Sequence, residues 1–172
     1  MTEKIDYSIT RVVDNLEIRR YPDVIIATVR GYSDNEAFGI LFDYIAGSNK
    51  SKKKIEMTAP VISSEKIPMT VPVVSRTGSF SFVLPSSYSM NTVPEPSDAR
   101  ARIEEIKSRS VAVIRFRGYT SDENVKSKVI MLLDKLRKNG IDSQGEPFLM
   151  RYNPPFTPGF LRRNEVGVEV SI

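Results

Sequence analysis

The stretch Val24-Ile-Ile-Ala-Thr-Val-Arg30-Gly31-Tyr32-Ser33 recurs later in the chain as Val111-Ala-Val-Ile-Arg-Phe-Arg117-Gly118-Tyr119-Thr120. Each copy begins with an apolar, β-branched run that is typical of a strand, and a glycine follows that run. An acidic residue and a segment with helical patterning come after both copies. The repeat therefore predicts a duplicated fold, in which each half runs strand–strand–helix–strand–strand.

Caps and turn formers mark the two predicted helices. The first begins at a cap on Ser33 or Asp34 and runs to about Ala46, where Gly47 ends it, and the second covers Asp122–Lys138. Short runs bounded by turn residues predict the strands. These runs are Tyr7–Val13, Leu16–Tyr21, Val24–Arg30, Ile55–Ile62, Ile67–Ser75, Phe80–Leu84, Ala101–Lys107, Val111–Arg117, Phe148–Tyr152 and Glu165–Ile172.

The length and the repeat together predict a single α+β domain over residues 1–172. Its two halves cover about 1–84 and 99–172, and the proline- and serine-rich connection 85–98 bridges them. A second, shorter repeat relates residues 55–63 to residues 67–75 through a shared Met-Thr-x-Pro-Val sequence. Because proline cannot donate a ladder hydrogen bond, this repeat predicts two strands at an edge or a bulge.

The composition excludes several classes of chemistry. The 172 residues include no cysteine, no histidine and no tryptophan. Disulfides, thiolate nucleophiles, zinc–thiolate sites and the Ser-His and Cys-His catalytic arrangements are therefore all impossible. The commonest protein ligand for haem iron is missing as well. We predict a binding protein rather than an enzyme, with no metal site built from side chains.

The charge is only mildly basic. The chain carries 25 basic and 21 acidic side chains, a formal net charge of +4, and its dense basic cluster is Lys50-Ser51-Lys52-Lys53-Lys54. Nucleic-acid proteins usually show a concentrated basic face, so we expect no nucleic-acid partner. The start of the chain has no apolar signal region and no stretch is long enough to span a membrane. We expect a cytoplasmic protein, with a monomer favoured.

The first predicted helix has more apolar surface than one packing face requires. Its apolar side chains sweep an arc of roughly 200°, whereas those of the second helix span roughly 100°. The surplus sector contains Phe38, Phe42 and Ile45. It requires a second partner, which could be a covering loop, another protein chain or an apolar ligand. An aromatic, proline-stiffened loop, Tyr152–Leu161, could cover the helix or form the opposite wall of a cleft for a flat ligand.

Charged residues offer two further candidates. The run Arg162-Arg163-Asn164-Glu165 could hold an anion, or it could form a structural ion-pair network, which we favour. Carboxylates in predicted strands could act as an acid or base if they point inward, although outward charges on a half-solvated sheet are commoner. These carboxylates belong to Glu17, Glu56, Glu165 and Glu169.

Several motifs in order along the chain resemble the SOUL haem-binding family. They are Glu17-Ile18-Arg19-Arg20-Tyr21, Leu41-Phe42-Asp43-Tyr44-Ile45-Ala46-Gly47-Ser48-Asn49, Lys54-Ile55-Glu56-Met57-Thr58-Ala59-Pro60-Val61, Tyr152-Asn153-Pro154-Pro155-Phe156 and Arg162-Arg163-Asn164-Glu165-Val166. The resemblance covers nearly the whole chain. It implies a distorted antiparallel β-barrel of about eight strands with two helices, similar to the effector-binding domains of bacterial multidrug-responsive regulators.

The same resemblance implies that haem or another tetrapyrrole binds in a shallow apolar groove along the first helix. With no histidine, any iron ligand would come from a tyrosine or methionine, the nearest being Tyr44, Met57 and Tyr152. We therefore expect the macrocycle face and the propionates to carry the affinity, and a carrier or buffering role. The predicted ligand-binding residues are Phe38, Leu41, Phe42, Ile45, Lys53, Met57, Tyr152, Phe156 and Phe160.

Three other functions stay open at this point. A general module for apolar small molecules would bind haem incidentally. A hydrolase could use an inward glutamate such as Glu165 with a tyrosine, as in distant relatives of this fold. A protein-interaction surface would bury the aromatic sector of the first helix in a dimer.

Overall fold

A computed structural model describes residues 3–52, 64–154 and 156–172 of the chain. Two α-helices, α1 (Asp34–Ala46) and α2 (Asp122–Lys138), accompany a largely antiparallel arrangement of strands, and this confirms the predicted α+β class. A short 3-10 helix covers Gly159–Leu161. The strands in the described residues are β1 (Glu3–Lys4), β2 (Ser8–Val13), β3 (Leu16–Tyr21), β4 (Val24–Arg30), β5 (Asn49–Lys50), β6 (Thr70–Arg76), β7 (Ser79–Val83), β8 (Glu95–Pro96), β9 (Ala101–Ile106), β10 (Arg109–Phe116), β11 (Asp142–Arg151) and β12 (Asn164–Ser171).

The chain forms two compact units, and each contains one helix and one copy of the long sequence repeat. Unit 1 comprises Met1–Ile5, Val24–Val71 and Gly78–Ile106, and unit 2 comprises Asp6–Asp23, Pro72–Thr77 and Lys107–Ile172. The first copy of the repeat lies in β4 and the turn after it, and the second lies in β10 and the turn after it. The single-domain assignment of residues 1–172 stays a prediction.

Strand β4 is the centre of unit 1. It pairs antiparallel with β7 on one side and with β9 on the other, so that Ala27 lies between Phe82 and Ile103. Helix α1 packs against β4, β7 and β9. The buried apolar side chains of this unit are Ile25, Ile26, Ala27, Val29, Ala37, Ile40, Leu41, Tyr44, Ile45, Ile67, Phe80, Phe82, Val83, Leu84, Val93 and Ala101.

The ends of α1 form where the sequence predicts them. The Ser33 side chain accepts a hydrogen bond from the backbone N–H of Glu36 at 3.2 Å, which satisfies one of the free donors of the first turn. Gly47 ends the helix at φ 130°, a backbone conformation that an L side chain rarely adopts, and its N–H bonds back to carbonyls of the last turn. In α2 the Ser121 hydroxyl accepts from Asn124 N in the same way.

Unit 2 is built on the strand order β2–β3–β10–β12–β11, with residues 73–75 of β6 paired to β11. Every second side chain of a strand points to the same face of the sheet. On one face of these strands, those side chains pack against α2. The core that results consists of Leu16, Ile18, Ala112, Ile114, Phe116, Leu132, Leu136, Ile141, Leu149, Val166, Val168 and Val170. The opposite face carries Arg19, Val111, Phe148 and Glu165, which are also buried.

The predicted barrel describes this arrangement only loosely. Nine strands have five or more residues, close to the eight expected, but no pairing between the described strands closes a barrel. The predicted strand Ile55–Ile62 lies outside the described residues, and the predicted strand at Ile67–Ser75 begins three residues later, at Thr70. No helix in the described residues is long and apolar enough to cross a membrane.

Candidate functional site

Two phenylalanines of α1 form an exposed aromatic face. Phe38 and Phe42 lie one helical turn apart, and 36% and 50% of their surfaces are exposed. Their ring centroids are 6.1 Å apart with an interplanar angle of 16°, so the rings are nearly parallel. Exposed aromatic pairs of this kind are available to a planar apolar partner.

Buried aromatic rings support this face from below. The ring of Phe38 meets Phe82 edge-on at 5.4 Å and Phe80 at 6.4 Å. Both phenylalanines lie in β7 and are buried. Because these contacts restrict the Phe38 ring, the exposed face is part of a packed aromatic cluster. The sequence predicted the surplus apolar sector of α1 but not the strand that backs it.

The other predicted ligand-binding residues of α1 point into the protein. Leu41 and Ile45 are buried, so Phe38 and Phe42 are the two of these four α1 residues that face solvent. Tyr44 is buried as well, and its hydroxyl donates a hydrogen bond to the Pro94 carbonyl at 2.6 Å. Burial raises the pKa of this phenol, with smaller electrostatic contributions from Tyr88 and Glu65. The Tyr44 oxygen is therefore poorly disposed to ligate iron.

Little positive charge is visible on α1 itself. Its polar edge includes Glu36 and Asp43, both exposed, and no basic residue lies in its last turn. Downstream of the helix, the ammonium group of Lys52 donates to the Met90 carbonyl at 3.2 Å. The predicted ligand-binding residues Lys53 and Met57 lie outside the described residues, so their part in the site stays a prediction.

The remaining predicted residues lie in unit 2, where each has a different environment. The hydroxyl of Tyr152 donates to Glu165 Oε1 at 2.5 Å, and the guanidinium carbon of Arg163 lies 4.2 Å from the centre of its ring. Burial raises the pKa of Tyr152, and the nearby carboxylate raises it further. Phe156 and Phe160 are largely exposed.

Glu165 is the centre of a buried ion-pair network. Arg19 donates to both of its oxygens, at 2.8 Å and 2.6 Å, and both side chains are completely buried. Arg163 contributes a further contact at 3.0 Å, so the predicted structural role of the 162–165 run is found for this arginine. Arg162 instead donates through Nε to the Thr157 carbonyl at 2.8 Å.

The network holds Glu165 in its charged form. Burial alone raises the pKa of this carboxyl, but the hydrogen bond and charge of Arg19 outweigh burial, and the resulting pKa is about 2. A carboxylate with several donors and so low a pKa is a weak base near neutral pH. The arrangement is suited to fixing Tyr152 and the start of the loop that follows it.

Arg19 belongs to the motif Glu17–Tyr21, but the sequence predicted no role for it. In β3 the side chains of Leu16 and Ile18 point to the α2 side, whereas Glu17, Arg19 and Tyr21 point to the other. Charged side chains at every second position of a strand usually indicate a face that is exposed to solvent. The pattern therefore does not predict that Arg19 is buried. Its partner Glu165 lies 146 residues away, which local patterning does not reveal. Within the described ranges, no group of three or more histidine, cysteine, aspartate or glutamate side chains could hold a metal ion.

A family model and the similar known proteins indicate the same family for this chain. A family model described as "SOUL heme-binding protein" matches residues 2–169. The chain is 30% identical over 131 residues to heme-binding protein 1 of Sus scrofa, which covers 76% of this chain and 68% of that protein. It is also 30% identical over 120 residues to heme-binding protein 2 of Mus musculus, which covers 69% of this chain and 58% of that protein. The match thus spans less than two thirds of the mouse protein.

Solved structures with a similar fold have much lower sequence identity. The C-terminal domain of EcmrR superposes with a TM-score of 0.59 at 12% identity, covering 96% of this chain and 98% of that one. A structure titled as a hydrolase from Listeria innocua gives a TM-score of 0.56 at 10% identity, covering 94% of each chain. At such identities the likeness concerns the fold alone.

Proposed function

The chain belongs to the SOUL haem-binding protein family, and from this premise we propose that it binds haem or another tetrapyrrole at the aromatic face of α1. The observation that carries the proposal is the exposed, nearly parallel pair Phe38 and Phe42. The names of the two heme-binding relatives support the same ligand class. Binding would be a carrier or buffering function.

The physical basis is contact between flat apolar surfaces. A porphyrin face that lies across the two rings removes apolar area from water, which contributes about 25 cal/mol per Å² buried. Each aromatic contact adds on the order of 0.5–1.5 kcal/mol when the rings are offset or edge-on. Leu41 and Ile45 lie beneath this face in the core and hold the helix in place. Because Leu41 and Ile45 are covered, we expect the ligand to lie on a shallow surface and to bind reversibly.

Iron ligation contributes little in this proposal. The chain has no histidine, and the Tyr44 and Tyr152 hydroxyls already donate to Pro94 and Glu165. Haem, when bound, would supply its macrocycle for contact, and the propionates would meet basic side chains of the 50–54 lysine segment, including Lys53. Because the macrocycle carries the affinity, iron-free protoporphyrin should bind nearly as well as hemin.

A titration with hemin and with iron-free protoporphyrin tests the proposal. We expect saturable changes in porphyrin absorbance with similar affinities, and an affinity lowered about tenfold or more by Phe42→Asp. The matched control is Ile130→Asp, which places the same charge at an exposed apolar position of α2 and should leave affinity unchanged. Saturable binding of neither compound would contradict the proposal.

Circular dichroism of Phe42→Asp separates a lost contact from a lost fold. The exposed position predicts a folded variant, so unfolding would mean that Phe42 is a structural residue. A general module for apolar molecules is the second candidate, since the face has no specific polar feature among the described residues of α1 beyond its acidic edge. Competition by unrelated flat hydrophobic compounds at similar affinity would favour that candidate.

The hydrolase alternative is less well supported by the site. Its general base would be Glu165, whose pKa of about 2 and bidentate contact with Arg19 leave it a weak proton acceptor. The Tyr152 hydroxyl is bound to the same carboxylate. These groups serve better as a fixed support for the 152–161 loop than as an acid–base pair.

A further inference from the structure

Two arginine side chains of unit 2 share one buried aromatic ring. The guanidinium carbon of Arg76 lies 4.3 Å from the centre of the Phe148 ring, and that of Arg109 lies 5.1 Å from the same point. Both are cation–π contacts, and we call Arg76 and Arg109 the arginine pair. Phe148 is buried and the Arg109 side chain is only 18% exposed, so water reaches this site only in part.

The pairing of the strands explains how both side chains reach this ring. Strands β6 and β11 pair antiparallel in a register that puts Arg76 beside Phe148. On the other side of β11, Phe148 pairs with Gly167 of β12, and Arg109 belongs to β10, one strand further. A Cβ at Gly167 would lie 3.0 Å from Phe148 Cε2, so the ring leans over a position that has no side chain. The glycine therefore leaves room for the ring to come within reach of Arg109.

The protein neutralises the positive charges of the arginine pair only in part. Among the residues that the structure describes, the Arg76 guanidinium forms no ion pair and no hydrogen bond. Arg109 Nη1 lies 3.7 Å from Glu169 Oε2, which is longer than a normal N–H···O hydrogen bond. Because a guanidinium has five N–H donors, most donors of the pair have no acceptor in this part of the chain.

The pKa values of the arginine pair are consistent with this incomplete neutralisation. Burial lowers the pKa of Arg76, and the like charge of Arg109 lowers it further. The carboxylates of Glu169 and Glu146 each raise the pKa of Arg76 by less. Burial also lowers the pKa of Arg109, and Glu169 offsets this only in part. The charged form of each side chain therefore has a free-energy cost that a bound anion would reduce.

The number of charges and their placement favour a phosphate group as the anion. Strands β6 and β10 lie on opposite sides of β11, so the two guanidinium groups come to the ring from different directions. A phosphate monoester carries about 1.5 to 2 negative charges near neutral pH and three acceptor oxygens, which suits two cations at once. A carboxylate has a single charge and two oxygens, and one guanidinium is enough to bind both of them.

We propose that the arginine pair binds a phosphate group, either as inorganic phosphate or as the phosphate of an organic molecule. The planar fork of arginine binds phosphate oxygens in bidentate fashion. Contact with Phe148 restricts both guanidinium groups, so little side-chain freedom is lost when the anion binds. The site belongs to unit 2, whereas the aromatic face proposed for the tetrapyrrole belongs to α1 in unit 1. Phosphate binding therefore goes beyond tetrapyrrole binding and does not depend on it.

Titrations followed by proton–nitrogen NMR test the site. At constant ionic strength, inorganic phosphate and phenyl phosphate should both shift the backbone amide signal of Phe148 saturably, and acetate should not. Both outcomes for the relative affinities support the site: tighter binding of phenyl phosphate identifies an organic phosphate as the ligand, and tighter binding of inorganic phosphate identifies the free ion. Saturable binding of neither phosphate, or an equal affinity for acetate, would overturn the proposal.

A pair of matched variants assigns the binding to these side chains. Arg76→Gln should lower the affinity for both phosphates about tenfold or more, because it removes a charged donor that faces the anion. The control is Arg102→Gln, which removes the same charge from an exposed position of β9 and should leave both affinities unchanged. Equal losses in the two variants would show that only the net charge matters and would overturn the proposal.

Urea unfolding separates a binding site from a structural role of the arginine pair. Millimolar phosphate should stabilise the wild type and Arg102→Gln more than Arg76→Gln, because a ligand stabilises the folded state that binds it. Exclusion of phosphate from the protein surface acts on all three proteins alike, so the difference between them measures the site. Without phosphate, Arg76→Gln should be nearly as stable as the wild type.

Two results of these variants would give the arginine pair another role. A large loss of stability in Arg76→Gln without phosphate would make the pair structural and overturn the proposal. A loss of hemin affinity in Arg76→Gln would assign the pair to the propionates and would also overturn it. We expect the hemin affinity of this variant to equal that of the wild type.

Discussion

Arg19 and Glu165 form a bidentate ion pair across 146 residues of sequence, with both side chains completely buried. Nη1 lies 2.8 Å from Oε1 and Nη2 lies 2.6 Å from Oε2. The pair joins β3 to β12 on the sheet face opposite α2. Because Tyr152 also donates to Glu165, the pair anchors the start of the loop that follows Tyr152.

Removing one partner of this pair should be costly. Arg19→Met leaves the Glu165 carboxylate buried without its main donor, and we expect the free energy of unfolding to fall by about 3–5 kcal/mol. Urea unfolding measures the loss. The control is Arg30→Met, because Arg30 forms an equally bidentate pair with Glu104 at the surface. It should cost less than about 1 kcal/mol, and equal losses for the two variants would show that burial is not the cause.

The low pKa of Glu165 predicts a specific acid sensitivity. Its pKa falls from an ordinary 4.5 to about 2 in the folded protein, so the folded state favours the charged form. The stabilisation is fully present above pH about 4.5 and is lost as the pH falls through about 2, and it amounts to about 3 kcal/mol. Urea unfolding between pH 5 and pH 2 should show this fall. Glu165→Gln should have lower stability at neutral pH and a flatter profile. If the stability of Glu165→Gln fell with pH in parallel with that of the wild type, the acid sensitivity would come from other carboxyls.

Two phenylalanines of the same aromatic cluster should respond very differently to truncation. Phe82 is buried in β7 and touches Phe38, so Phe82→Ala should cost about 3–5 kcal/mol through lost contacts and a cavity. Phe42 is half exposed, and Phe42→Ala should cost about 1 kcal/mol or less. Thermal and urea unfolding of both variants test the difference. A large loss in Phe42→Ala would mean that the exposed face serves stability rather than ligand contact.

The same substitution at two glycines should change stability in opposite directions. A Cβ at Gly167 would lie 3.0 Å from Phe148 Cε2 and Val111 Cγ1 and 3.1 Å from Met150 Cε, all in the buried sheet face of unit 2. Gly167→Ala should therefore cost about 1–3 kcal/mol by overpacking. Gly39 lies within α1 with nothing near its Cβ position, and Gly39→Ala should stabilise the protein by about 0.5–1 kcal/mol. Urea unfolding shows whether each variant is more or less stable than the wild type. An unchanged stability of Gly167→Ala would mean that the three neighbouring side chains move at little energetic cost.

Local patterning was sufficient for most of the secondary structure. The caps at Ser33 and Gly47 bound α1 where the sequence predicted, because capping depends on neighbouring residues alone. Strand boundaries moved by a few residues, and β11 begins six residues before the predicted Phe148, since a bulge between Gln144 and Phe148 extends the pairing to β12. Closure into a barrel depends on long-range pairing, which no local signal supplies.

The candidate site was predictable only in outline. The surplus apolar arc of α1 indicated Phe38, Phe42 and Ile45 together, yet Ile45 is buried and the two phenylalanines are exposed. The apolar arc indicates which side chains of α1 are hydrophobic. The packing of the helix against β7 determines which of them are buried. No prediction was made for the burial of Arg19, because its burial depends on pairing with Glu165, 146 residues away.

The amino-acid sequence by itself determined the duplicated order of strands and helices, the ends of the helices, and the absence of histidine and cysteine that limits any haem ligation. These properties depend on composition and on neighbours a few residues apart. Only the tertiary structure decided that Arg19 meets Glu165 and that Phe38 rests on Phe82. Burial and pairing depend on residues that are distant in sequence, and folding alone brings them together.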